Sequence, residues 1–130
     1  MGTRSTIKFY SEWDDKAVLL SVYQQYDGYI SGVGHDLARW LLDKKIVNGF
    51  GGTEITRANG YANGMGCLAA QFVADMKGGI GGFYMTTPKD KQEYNYEVRY
   101  NENLIIKVRN WNNRIIFEGT PQQLLAYDEE

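Results

Sequence analysis

The fold class that the sequence predicts is α+β: an antiparallel sheet made of an N-terminal hairpin and a C-terminal meander, with two central helices and a short C-terminal helix. Three observations carry it. Both ends of the chain alternate apolar and polar residues at the strand period. The middle holds two stretches with apolar residues every three to four positions, the helix period. Strand and helix signals do not alternate in the βαβ manner that a doubly wound parallel sheet requires. A chain of 130 residues is the size of one domain, 1–130, and its 43% of hydrophobic residues separates it from disordered sequences.

Taken in order, residues Thr3–Tyr10 alternate and carry β-branched Thr6 and Ile7, which reads as a strand. Ser11–Asp15 is a polar turn. Ala17–Tyr26 (AVLLSVYQQY) returns as the second arm of the hairpin and is ended by Asp27-Gly28. Ser31-Gly32-Val33-Gly34 opens the first helix, with Val33, Leu37, Trp40, Leu41 and Lys44 on one face and Asp36, Arg39 and Asp43 on the other. Val47–Gly64 holds five glycines and three asparagines and reads as a long loop, of a length that in compact domains serves function or motion. Met65, Leu68, Ala69, Phe72, Val73 and Met76 mark the second helix, with Gly78 as its expected C-cap.

Phe83–Thr87 reads as a short strand. Three more follow, Tyr94–Tyr100, Leu104–Arg109 and Arg114–Glu118, joined by asparagine-rich turns. Thr120-Pro121-Gln122-Gln123 has the layout of a helix start: Thr as N-cap, Pro at the first position, Gln closing the box. The last helix is short and runs into the acidic Asp128–Glu130.

Composition excludes several functions. A net charge of −2 and a pI near 5.4 argue against a binder of polymeric nucleic acid or of membrane surfaces, which needs excess Lys and Arg. No apolar run approaches the length of a membrane span, and MGTRSTIKFY lacks the layout of a signal peptide. The lone Cys67 cannot form an internal disulfide, which suits a reducing cytoplasm. His35 and Cys67 make no standard zinc pair, and no HExxH motif, nucleophile elbow or P-loop occurs; Gly64-x-Gly66-x-x-Ala69 matches a dinucleotide fingerprint without its βαβ context, and no cofactor is expected. The carboxylates Asp14-Asp15 sit where a turn is expected. An enzyme acting on nucleotides would have to use Asp27, His35 or Glu93 as acid or base. The ten tyrosines leave a third reading, a protein-interaction module with a tyrosine-rich sheet.

Three features point instead to an anionic ligand that carries a base. Gly32-Val33-Gly34 and Gly64-Met65-Gly66 approach helix N-termini, where free amides attract phosphate. Gly78, Gly79, Gly81 and Gly82 remove every Cβ that could obstruct a ligand, just before Phe83 and Tyr84, which can stack on a base. The meander interleaves Arg99, Lys107, Arg109 and Arg114 with Asn95, Asn110, Asn112 and Asn113. Arginine binds phosphate bidentately or stacks on a base, and an asparagine amide can read an adenine edge.

The stretches VYQQYDGYISGVG, NGMGCLAAQFVADMK, GGIGGFY and EYNYEV resemble the type 1 Thoeris anti-defence proteins, small phage proteins that antagonise the bacterial Thoeris defence, and the resemblance spans most of the chain. It implies a sponge for glycocyclic ADP-ribose, the signal made by bacterial TIR-domain enzymes, held uncleaved in the cytoplasm of the infected cell. It further implies a homodimer with pockets at the subunit interface, or a hexamer with additional sites for cyclic oligonucleotides. By position and type, the implied roles fall to Phe83 and Arg109 on the two faces of the adenine, to Asn95 on its edge, and to Arg114 with the amides of Gly81 and Gly82 on the diphosphate. Tyr84 competes with Phe83 and Arg99 with Arg109. Arg57 is the candidate for the second site.

Overall fold

The computed structural model describes residues 2–49 and 51–128; Met1, Phe50 of the expected loop, and Glu129 and Glu130 of the expected acidic end lie outside the described residues. The elements in chain order are β1 (Ser5–Tyr10), β2 (Val18–Gln24), a π-helical turn (Ile30–Gly34), α1 (His35–Leu41), β3 (Lys45–Val47), β4 (Tyr61–Asn63), α2 (Gly64–Met76), β5 (Phe83–Met85), β6 (Tyr94–Asn101), β7 (Asn103–Asn110), β8 (Ile115–Gly119) and α3 (Pro121–Ala126). This is an α+β fold on a mostly antiparallel sheet. The six-stranded sheet runs β5-β2-β1-β6-β7-β8.

The hairpin and the meander form as the local patterns require, with Ile7 opposite Val22 and Tyr96 opposite Val108. Their junction does not follow the antiparallel expectation. β1 and β6 run parallel, with Ile7 opposite Tyr96. The cause is topological. β5 docks antiparallel on the outer side of β2 and therefore runs along β1. Residues 86–93 then carry the chain back across β2 and β1, so β6 starts at the same end as β1.

The long loop expected over Val47–Gly64 is also not structureless. β3 and β4 pair in parallel as a small second sheet, with Ile46 opposite Ala62. Each has three residues, too short to show a period. The first helix is preceded by the π-helical turn, and α1 proper begins at His35. Asp27, at φ +58°, turns the chain, and its carbonyl accepts from the Val33 amide at 2.8 Å. Nor is Gly78 a left-handed C-cap. α2 ends at Met76, Lys77 is extended, and the left-handed residues of the glycine run are Gly81 and Gly82. The capping box of α3 forms as expected, with Thr120 and Gln123 bonded reciprocally.

The helices cover one face of the sheet. α2 lies on β1 and β2, α3 on β7 and β8, and α1 on α3. Phe72 sits at the centre of the core, with the rings of Phe9 and Trp40 each 5.1 Å away and that of Phe83 at 6.0 Å. Tyr94, Tyr96 and Tyr100 of β6 point into this core, so the alternating tyrosines are packing residues rather than a docking face. Each fully buried large side chain contributes roughly 1.5–3 kcal/mol.

Candidate functional site

Strand alternation places Thr6, Lys8 and Tyr10 of β1, Ser21 and Tyr23 of β2, Asn95, Glu97 and Arg99 of β6, and Lys107 and Arg109 of β7 on the face away from the helices. Residues 86–93 cross this face as a strap. Its anchors are polar. The Lys8 ammonium donates to the Asp90 carbonyl at 2.9 Å and to Thr6 Oγ1 at 3.0 Å. Ser21 donates to the Thr87 carbonyl, and Thr86 to the Asp90 carboxylate. Thr6, Lys8, Ser21, Asn95 and Glu97 are consequently buried although none is apolar.

Glu97 is the hub of the charges. Its Oε1 accepts from Arg99 Nε and Nη2, both at 3.0 Å, and its Oε2 from Arg109 Nε at 2.8 Å. Arg99 is engaged throughout: it also donates to the Asp15 carbonyl at 2.7 Å and lies 3.7 Å over the Tyr10 ring. Arg109 spends one further N–H on the Asn113 carbonyl at 3.3 Å. Burial pushes the Lys8 ammonium below its ordinary pKa, opposed in part by Asp90 and Glu97. Burial, and then the nearby Glu97 carboxylate, push the Tyr10 phenol up.

Between the strap, β6 and β7 lies a cleft of about 290 Å³. Its charged lining is Lys8, Lys89, Lys91 and Arg109 against Asp90 and Glu97, an excess of cations in an acidic chain. Lys91 also lies 4.8 Å over the Trp111 ring.

The expected site residues are not brought to one place. Arg109 lines the cleft and Arg99 does not, which separates the two candidates. Asn95 reaches the cleft, but its amide is committed. Its Oδ1 accepts from Thr6 Oγ1 and the Gln92 amide, and its Nδ2 donates to the Gln92 carbonyl. It pins the strap and has no free acceptor for an adenine edge. Arg114 is exposed on the β7–β8 turn.

Phe83 is a core residue, 7% exposed and packed on Phe72, so its ring has no face for a base. Tyr84 is the exposed aromatic. Its ring is 6.1 Å from Tyr23, under the Lys77 ammonium at 5.5 Å, and Gly81 makes room for its hydroxyl. Gly81 and Gly82, at φ +89° and +79°, form the turn that delivers it. β5 and β7 are four strand steps apart in the sheet, about 19 Å. Tyr84 and Arg109 of one chain therefore cannot sandwich one base.

At both glycine approaches to a helix, amides are already in use. At α2 the Glu12 carboxylate already accepts from the Met65 amide at 3.0 Å. In the π-helical turn the amides of Gly32, Val33 and Gly34 donate to the carbonyls of Tyr29, Asp27 and Tyr29. Arg57 pairs with Asp75, whose carboxyl is held below its usual range by the Trp40 indole and by that guanidinium. It edges a small cleft of about 170 Å³ with Ile55, Tyr61, Cys67 and Gln71.

Of the candidate acids and bases, Asp27 accepts from the Tyr29 hydroxyl, His35 is bonded to the Tyr127 carbonyl, and Glu93 accepts from the Arg4 amide. Among the described residues no group of three or more His, Cys, Asp or Glu could hold a metal, and no helix is long and apolar enough to cross a membrane. Lys8, Tyr10 and Glu97 are the participants that sequence reasoning missed. Their one signal was their place opposite Ile7, Phe9, Tyr96 and Val98 in the alternation. Comparison with family models, with curated proteins and with solved structures found no match.

Proposed function

We propose that this chain is a binding protein that sequesters a cyclic ADP-ribose signal, glycocyclic ADP-ribose, without cleaving it, and so blocks Thoeris immunity in an infected bacterial cytoplasm. The observation that carries the reading is the cation excess of the strapped cleft, in a chain of net charge −2. A diphosphate suits such a site, because each charge-assisted bond to it is about twice as strong as a neutral one. The resemblance of the sequence supplies the identity of the ligand. The roles shift from those expected: Tyr84 replaces Phe83 as the stacking ring, Arg109 is kept, Arg114 is the exposed cation nearby, and Asn95 holds the strap.

Because Tyr84 and Arg109 lie about 19 Å apart within one chain, a pocket using both needs a second copy. A homodimer is thus part of the proposal. The cleft of about 170 Å³ beside Arg57 is the proposed second site for a cyclic oligonucleotide, in a higher oligomer, up to a hexamer.

The test is retention. The protein is incubated with glycocyclic ADP-ribose, freed of unbound ligand, and heated. Release of intact ligand is the expected result. Release of cleavage products would make the chain a nucleotide-processing enzyme, and release of nothing would remove the ligand. A sponge works at roughly nanomolar affinity, about 12 kcal/mol. Tyr84→Ala and Arg109→Ala should each weaken binding by about tenfold or more while leaving the fold intact. Phe83→Ala should instead cost about 3 kcal/mol of stability as a core truncation.

A further inference from the structure

We infer that Glu97 is the positioning residue of the cleft, acting through Arg109; this rests on the reading that the cleft binds an anionic ligand. A carboxylate beside an anion site opposes the ligand by charge alone. Glu97 is nevertheless buried at the centre of this one, 8% exposed, with three guanidinium nitrogens on its two oxygens. What it provides is orientation. Arg109 has a long side chain that would otherwise sample many rotamers.

Held at Nε by Glu97 and at Nη1 by the Asn113 carbonyl, its guanidinium plane is fixed, and among the described residues Nη2 has no protein partner. Arg99, occupied at every nitrogen and stacked on Tyr10, holds the other side of the carboxylate, so Glu97 stays paired where it lines the cleft. The residue therefore exchanges some electrostatic attraction for a preorganised donor, which lowers the ordering cost of binding.

The two effects have opposite signs, and that makes the inference testable. Glu97→Gln keeps the shape and removes the charge. If charge decided the matter, the variant would bind glycocyclic ADP-ribose more tightly than the parent. The positioning role predicts weaker binding, by about tenfold, the scale of one charge-assisted bond. The double variant Glu97→Gln with Arg109→Ala should bind no more weakly than Arg109→Ala alone. Equal or tighter binding by Glu97→Gln overturns the inference, as does an additive loss in the double variant.

A separate readout is the Arg109 Nε–H resonance in a ¹⁵N-correlated NMR spectrum. It should be sharp and slowly exchanging in the parent and broadened in Glu97→Gln, with circular dichroism confirming that the variant is folded. If the parent binds no glycocyclic ADP-ribose, the function proposed above fails. The NMR signal then decides the hold of Glu97 on Arg109 by itself, and an unchanged resonance in Glu97→Gln overturns it.

Discussion

The two faces of the central sheet share one backbone and differ in everything else. On the helix side, Ile7, Phe9, Tyr96, Val98, Ile106 and Val108 are buried because water is removed from apolar surface. On the strap side, Thr6, Lys8, Asn95 and Glu97 are buried about as deeply, and there burial is a cost that hydrogen bonds and charge pairs must offset. Well-packed apolar residues commonly match or exceed a buried ionic network in stability. A polar layer under a polar strap is therefore poor evidence of a second core, and it is on this face that the candidate site lies. The difference teaches where to look for function in this molecule: on the face whose burial is harder to account for by stability.

That comparison can be broken at several points. The largest effect belongs to the apolar face. Phe72→Ala removes the ring that touches Phe9, Trp40 and Phe83, and should lower the unfolding free energy by about 3–5 kcal/mol in a urea titration. A loss below about 1 kcal/mol would mean that the helix face is not the core of the domain.

Next comes the polar face. Glu97→Ala leaves Arg99 and Arg109 without their shared carboxylate. The two guanidinium side chains are 28% and 25% exposed and partly screened, so about 2 kcal/mol is expected rather than the larger cost of a fully buried pair. If the same titration gives a loss as large as that of Phe72→Ala, the two faces would be equivalent in stability and the contrast would collapse.

The smallest effect is a slope. The Lys8 pKa in the folded chain lies below its ordinary 10.5, chiefly through burial. At pH values below the lowered pKa the ammonium is charged in both states and the burial penalty is fully present. As pH rises from there to 10.5, the folded state gives up its proton first, the unfolded state binds more protons, and stability rises. Against Lys8→Met, which cannot titrate, the parent should therefore gain stability across that window. Tyr10 titrates in both proteins and largely cancels in the difference. Parallel denaturation curves with no change in the difference up to pH 10.5 would show that Lys8 is not desolvated under the strap.

Much of the fold was legible in advance. The hairpin, α2, the meander and the capping box of α3 each follow from a period or a motif contained in one short window: alternation in Ile7 and Phe9, the helical stripe from Met65 to Met76, and Thr120 with Gln123. The candidate site was legible only in part. Arg109 and the glycine-aromatic turn stood out, but Phe83 and Tyr84 are adjacent aromatics that no local rule separates. Which of them is buried was decided by Phe72 of α2, whose ring packs on Phe83.

The sequence by itself determined which residues share a strand face, which helices exist and how α3 starts, because those properties depend on neighbours within about one helical turn or one strand. Only the tertiary structure decided that β1 and β6 would run parallel, that residues 86–93 would cross the polar face, and that Asn95 would hold that crossing rather than await a ligand. It likewise chose Arg109 over Arg99 for the cleft. These outcomes depend on which distant segments meet, as Lys8 meets Asp90 across 82 positions, and loop closure over such separations leaves no periodic trace in the chain.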